Sequence, residues 1–156
     1  MHTITARRSV AAPPEVMFDL LADPTTYLRF PGVRVAELLR AGEAEPHGVG
    51  ALRRIQIGSF RFDEEIVGAE RGVCLEYRVI ASRPRLEHEL GRIELTPAPT
   101  GCGVRWTSTY RVPVPVVGRV IEHLGGRRMA RAFDDAIRVS GEIATDRTRA
   151  QDVGRG

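Results

Sequence analysis

The stretch VGALRRIQIGSFRFDEEIVG, residues 49–68, decides the architecture. Before Gly58-Ser59 the odd positions Val49, Ala51, Ile55 and Ile57 form the more apolar set, and they carry Arg53 with them. After it the even positions Phe60, Phe62 and Ile66 are apolar and carry Glu64, while Arg61, Asp63, Glu65 and Val67 alternate with them. A period of two is that of a half-buried strand. A two-residue connection with glycine first suits a tight hairpin. That turn pairs Ile57 with Phe60, Ile55 with Phe62 and Arg53 with Glu64. An Arg and a Glu therefore meet on the apolar face of an antiparallel pair. On the opposite face Arg54 falls beside Asp63, which reads as a surface ion pair.

The pattern extends in both directions. Strands are predicted at His2–Val10, Val33–Arg40, Val49–Ile57, Phe60–Ala69, Val73–Ala81, Leu86–Thr96 and Val104–Val112, with turn residues at every break from Val33 onward. Short turns between consecutive strands make an antiparallel meander. Between the first two strands the pattern becomes helical. Pro14–Ala22 has Val16, Met17, Leu20 and Leu21 on one side, and Asp23-Pro24 caps and opens a second short helix through Arg29. After Pro113 and Pro115 the apolar positions Val116, Val117, Val120, Ile121 and Leu124, then Met129, Phe133, Ile137 and Ala144, predict a long helix. Gly125-Gly126 predicts a kink or break in it. Residues 1–146 make one domain, and the polar residues 147–156 read as a flexible C-terminal tail. A curved sheet with one apolar face needs a cover, and the last helix is the only element long enough.

Composition excludes several classes. Of 156 residues, 42% are hydrophobic and 28% charged, which is ordinary globular usage. No apolar run approaches the ~20 residues that span a bilayer, and Met1 to Arg8 has no apolar signal core, so a cytoplasmic protein without stable membrane insertion is expected. All 23 basic residues are Arg and Asn is absent, a pattern of a GC-rich genome rather than of a nucleic-acid partner, since the Arg residues are interspersed among 20 acids. Cys74 and Cys102 lack metal or redox spacing and read as free thiols, Cys74 on the outward side of its strand and Cys102 in a turn. His2, His47, His88 and His123 lie in separate elements, so no metal site and no cofactor is expected. Arg131 and Asp135, four apart on the last helix, read as part of a solvated charged face.

The order of strand, two short helices, six strands and long helix resembles the helix-grip fold of the START-related SRPBCC superfamily, and within it the polyketide cyclase/dehydrase-like branch. The residues that carry the resemblance are Ala12 to Pro24, Gly48-Val49-Gly50-Ala51, Gly91 to Pro97 and Gly103 to Thr107. It spans about residues 3 to 145. It implies an α+β fold in which a curved seven-stranded antiparallel sheet wraps the C-terminal helix. It also implies a function among lipid carriers and cyclases.

Strand parity names the side chains that face inward. Arg53, Ile55, Phe62 and Glu64 come from the hairpin, Leu75, Tyr77 and Val79 from the next strand, and Trp106, Ser108 and Tyr110 from the last. Phe18, Leu21, Met129 and Phe133 add apolar lining from the helices, and Glu37 is placed inward beside Val35 and Leu39. The strand Leu86–Thr96 is ambiguous. Pairing Tyr77 with Leu90 and Val79 with His88 turns His88 inward, whereas the parity of Ile93 and Leu95 turns Glu89 inward, unless Gly91 is a bulge. The candidate ligand-binding set is Arg53, Ile55, Phe62, Glu64, Tyr77, His88, Trp106, Ser108, Tyr110, Met129 and Phe133. The Arg53–Glu64 pair suits either a polar anchor for a ligand headgroup or a structural ion pair at the rim with Arg53 snorkelling to water. A gap by the short helices, or a flexing Gly125-Gly126 segment, would admit the ligand.

Three functions fit. The first is binding of a hydrophobic small molecule such as a lipid, isoprenoid or polyketide-like compound, by a monomer or homodimer. The second is a cyclase, aromatase or dehydratase with Glu64, His88 or Tyr110 as acid or base. The third is an interaction protein, marked by an exposed apolar patch left over once the core is assigned.

Overall fold

Alternating sequence becomes alternating burial over most of the sheet. The computed structural model describes residues 1–115 and 117–156. It contains β1 (His2–Val10), α1 (Pro14–Ala22), a 3-10 helix (Pro24–Arg29), β2 (Val33–Arg40), β3 (Leu52–Ile57), β4 (Phe60–Glu70), β5 (Cys74–Arg83), β6 (Glu87–Ala98), β7 (Gly101–Arg111) and α2 (Gly118–Gly154). The strands form one antiparallel sheet in the order β1-β7-β6-β5-β4-β3-β2. Helix α2 packs on its concave side, and α1 with the 3-10 helix closes one end, which is the helix-grip arrangement. Val116, expected in the apolar run before α2, lies outside the described residues.

The hairpin of residues 49–68 has the predicted register, with Ile57 opposite Phe60, Ile55 opposite Phe62 and Arg53 opposite Glu64. Gly58 supplies the positive φ of +56° that the turn requires. On the outer face Arg54 grips Asp63 through two hydrogen bonds of 2.7 and 2.8 Å. Asp23 caps the 3-10 helix, accepting from the Thr25 N–H at 2.9 Å.

Several expectations are corrected. Glu37 is exposed, and the inward residues of β2 are Ala36 and Leu38. A register shift between Val33 and Val35 reverses the parity of the strand beyond it. β7 starts at Gly101, which takes Cys102 out of the turn and buries it in the strand. Gly125 and Gly126 run inside the one helix α2 rather than breaking it. A Cβ on Gly126 would lie 2.6 Å from His2 Nε2 and 3.2 Å from Ile4 Cγ2, so this glycine lets α2 approach β1 closely. Asp135 pairs with Arg138 at 3.2 Å, not with Arg131. The helix continues past Asp146 to Gly154, with its last residues exposed.

Two contacts set α2 on the sheet. The Phe133 ring stacks on Trp106 with centroids 4.3 Å apart, and Arg8 forks onto Asp134 at 3.0 and 2.7 Å. Arg8 belongs to the inward parity of β1, so the pair forms where α2 crosses the edge strand. Beside it, Arg8 to Ala11 and residues from Arg138 to Arg149 border a polar groove of about 450 Å³.

Candidate functional site

Register brings the inward polar residues into neighbouring rows across the sheet. Leu38, Arg53, Glu64 and Val79 lie in one row, each opposite the next. The row continues to His88 and Tyr110. The row beside it holds Ile66, Tyr77, Gly91 and Ser108.

Arg53 is 1% exposed, so it does not snorkel to water. Its Nε donates to Glu64 Oε2 at 2.8 Å and its Nη1 to the Leu21 carbonyl at 3.0 Å. The guanidinium lies 4.9 Å from the ring centroid of Tyr27 and 5.5 Å from that of Tyr77. Leu21 stands in the last turn of α1, where carbonyls lack helical partners and the helix end favours a cation. The Tyr27 hydroxyl donates to the same carbonyl at 2.8 Å. Arg53 therefore ties the end of α1 to the β3–β4 pair of the sheet. Its Nη2 is buried and has no partner among the described residues.

Burial acts on every ionisable group around this pair. It raises the Glu64 carboxyl above the ordinary carboxylate range, with Arg53 pulling the other way. It pushes the Tyr27 hydroxyl up to about 12 and raises Tyr77 further. Arg53 stays protonated, since the field and hydrogen bond of its neighbours outweigh its own burial. Glu64 keeps 11% of its side chain accessible, against 1% for Arg53, so it is the less deeply buried half of the pair.

His88 is turned inward and Glu89 is exposed. The two choices left by strand parity are reconciled by a bulge between His88 and Leu90, one step before Gly91. Tyr77 pairs with Gly91, not Leu90. Gly91 has a different duty from the bulge expected there. The Tyr77 ring lies directly over it, and a Cβ at this position would come within 2.0 Å of Tyr77 Cζ. Past this pair the imidazole replaces the backbone ladder, accepting from the Val79 N–H through Nδ1 at 3.1 Å. An acceptor Nδ1 requires the proton on Nε2, which then donates to Ser108 Oγ at 2.9 Å. Burial, and secondarily Arg78, lowers His88 to about 4. It is a neutral structural imidazole near pH 7.

The remaining candidates join this cluster or border it. Trp106 Nε1 donates to the Tyr77 hydroxyl at 2.9 Å. Tyr77 and His88 stack with centroids 5.5 Å apart. Tyr110 donates to the Glu122 carbonyl of α2 at 3.1 Å. Ile55 and Phe62 are buried in the row beyond Arg53, Phe133 is buried under α2 and Met129 is half-buried beside it. The two ends of the concave face differ. Under α1, Met17, Leu21, Leu75 and Ile93 are no more than 1% exposed. At the other end Val79, Leu86, Val112 and Met129 are only half-buried. Sequence reading passed over Tyr27, Leu86 and Val112. Leu86 shares the parity of His88 and was legible once that residue was turned inward. Tyr27 carried no periodic signal, because a 3-10 turn gives none.

The fold is shared widely. The protein TTHA0849 from Thermus thermophilus superposes with a TM-score of 0.78 at 19% identity, covering 93% of this chain and 98% of that one. Norcoclaurine synthase from Thalictrum flavum, in complex with dopamine and hydroxybenzaldehyde, gives 0.67 at 18% identity over 93% and 87%. A Thermobifida fusca protein gives 0.60 at 25% identity over 81% and 84%. No curated protein matches the chain. The family model for polyketide cyclase / dehydrase and lipid transport matches residues 1–139, the strands, both short helices and the first part of α2, and the chain belongs to that family.

Proposed function

We propose that the protein binds a hydrophobic small molecule, a lipid, isoprenoid or polyketide-like compound, between the sheet and α2. The observation that carries this reading is the asymmetry of the concave face. One end is sealed by α1, and the other combines half-buried Val79, Leu86, Val112 and Met129 with the inward polar groups of Glu64, Ser108 and Tyr110. Apolar walls with a few convergent polar atoms are what a small-molecule site needs. A fold neighbour holding two aromatic molecules supports the same use of this architecture. Glu64 and Ser108 orient the polar end of the ligand, and Arg53 holds Glu64 in place. Mass spectrometry of an organic extract of the purified protein, with titration of a fluorescent fatty acid, tests this. A defined extracted compound or saturable probe binding that Met129→Glu abolishes and Val67→Glu on the convex face leaves intact is expected. No extract and no saturable binding would overturn it.

The raised carboxyl of Glu64 favours a second reading, in which it delivers a proton to a bound polyketide-like substrate. Carbon-13 NMR titration of the Glu64 carboxyl decides this. A midpoint at or below the ordinary value of 4.5 removes the proton-donor role.

A further inference from the structure

The beginning of α2 carries an apolar stripe on the wrong side. Gly126, Met129, Phe133 and Ile137 recur at three- and four-residue intervals and face the sheet. Val117, Val120, Ile121 and Leu124 recur at the same intervals, yet they are 50%, 58%, 46% and 60% exposed. At about 100° per residue the two sets fall on opposite sides of the helix. Glu122 agrees with this orientation, since it points to the sheet and its Oε1 accepts from the Val112 N–H at 2.8 Å. Val114, just before the helix, is 43% exposed and extends the patch.

The charge around the stripe has one sign. Arg128 and Arg131 follow Leu124 on the same outer face, with Arg127 to its flank, and all three are exposed. None of them takes part in an ion pair among the described residues. Between Val114 and Phe133 the only acid is Glu122, which is turned inward. The β5–β6 turn adds exposed Arg83 and Arg85 at the same end of the sheet, where Glu87 of β6 meets Arg111 of β7 just before the chain enters α2. A second copy docking face to face would oppose these Arg clusters, so self-association is disfavoured. No helix among the described residues is long and apolar enough to cross a membrane.

We propose that this end of the molecule, the outer face of α2 from Val117 to Arg131 with the β5–β6 turn, docks peripherally on an anionic membrane surface. Val117, Val120, Ile121 and Leu124 enter the boundary between headgroups and acyl chains. The arginines meet the lipid phosphates. Docking brings the half-open end of the concave face, bordered by Val112 and Met129, against the bilayer. The proposal does not depend on the ligand reading.

The test is flotation of the full chain with vesicles of phosphatidylcholine alone and of phosphatidylcholine with phosphatidylglycerol in equal parts. Binding to the anionic vesicles, weakened by added salt, is expected. Ile121→Ser/Leu124→Ser is expected to lower the partition coefficient about tenfold or more, since four apolar side chains supply most of the insertion. These positions are exposed, so circular dichroism is expected to be unchanged. Fatty-acid probe binding without vesicles reports the ligand site separately: lost flotation of the double variant with retained probe binding supports the docking surface, and a wild type that floats but binds no probe removes only the ligand reading. Absence of flotation by the wild type, or equal flotation by the double variant, overturns the proposal. So does a dimer in light scattering that the double variant abolishes while vesicles are ignored.

Discussion

Gly91 and Tyr77 share one volume. The ring occupies the space a side chain would take, so Gly91→Ala forces the ring or the strand aside. Overpacking of this kind costs about 1–3 kcal/mol, and urea unfolding is expected to report it. Tyr77→Ala in the same background relieves the clash and makes the two changes non-additive. His88 makes a prediction in pH. Its folded value is about 4 and its ordinary value 6.5, so the unfolded chain takes up the proton first as pH falls. The contribution of neutral His88 to stability is full above 6.5 and falls progressively as pH drops toward 4. Below that the imidazole protonates in place and sets an Nδ1–H against the Val79 N–H donor. Unfolding free energies measured across this window are expected to slope upward with pH, and His88→Gln is expected to flatten that slope. The inward turn of His88 was read from a register that paired Tyr77 with Leu90, which the structure moves by one residue to Gly91. The bulge beside Leu90 was not legible, because a strand's parity carries no mark of where an extra residue is inserted.

At the scale of elements, two adjacent glycines of α2 are expected to behave oppositely. Among the described residues nothing lies within 4 Å of a Cβ at Gly125, whereas one at Gly126 would press on His2 and Ile4 of β1. Gly125→Ala is expected to stabilise by about 0.5–1 kcal/mol through helix propensity. Gly126→Ala is expected to lose that gain against the contact with β1. Thermal unfolding of the two variants compares them directly. The tie between α1 and the sheet gives a larger effect. Glu64→Leu leaves the Arg53 charge buried with only the Leu21 carbonyl as acceptor, and breaking a buried pair this way costs about 3–5 kcal/mol. Arg53→Met/Glu64→Leu is expected to recover much of the loss, since replacing both partners removes the unpaired charge. Arg54→Ala, removing the partly exposed outer-face pair, is expected to cost no more than about 1 kcal/mol.

For the whole molecule the prediction concerns linkage. A ligand that binds only the folded chain stabilises it by about 2.7 kcal/mol at a free concentration one hundred times its Kd. A concentration-dependent rise in Tm with a lipid or polyketide-like compound is therefore expected, and its loss in Met129→Glu would locate the site beside α2. The family membership and the asymmetric concave face support this use of the fold.

What the sequence determined by itself was everything with a local period. The strand and helix order, the hairpin at Gly58-Ser59 and the Arg53–Glu64 register follow from alternation and turn chemistry, which act over a few residues. Glu37 escaped because a single register shift reverses parity without a sequence signature. The depth of Arg53 escaped as well. Alternation says which face a side chain takes but not what covers it, and the cover consists of Leu21 and Tyr27, about thirty residues away in the chain. Only the tertiary structure decided that Arg53 is sealed more deeply than Glu64, and that the first apolar stripe of α2 turns away from the core. Those outcomes depend on which surfaces the folded chain brings into contact.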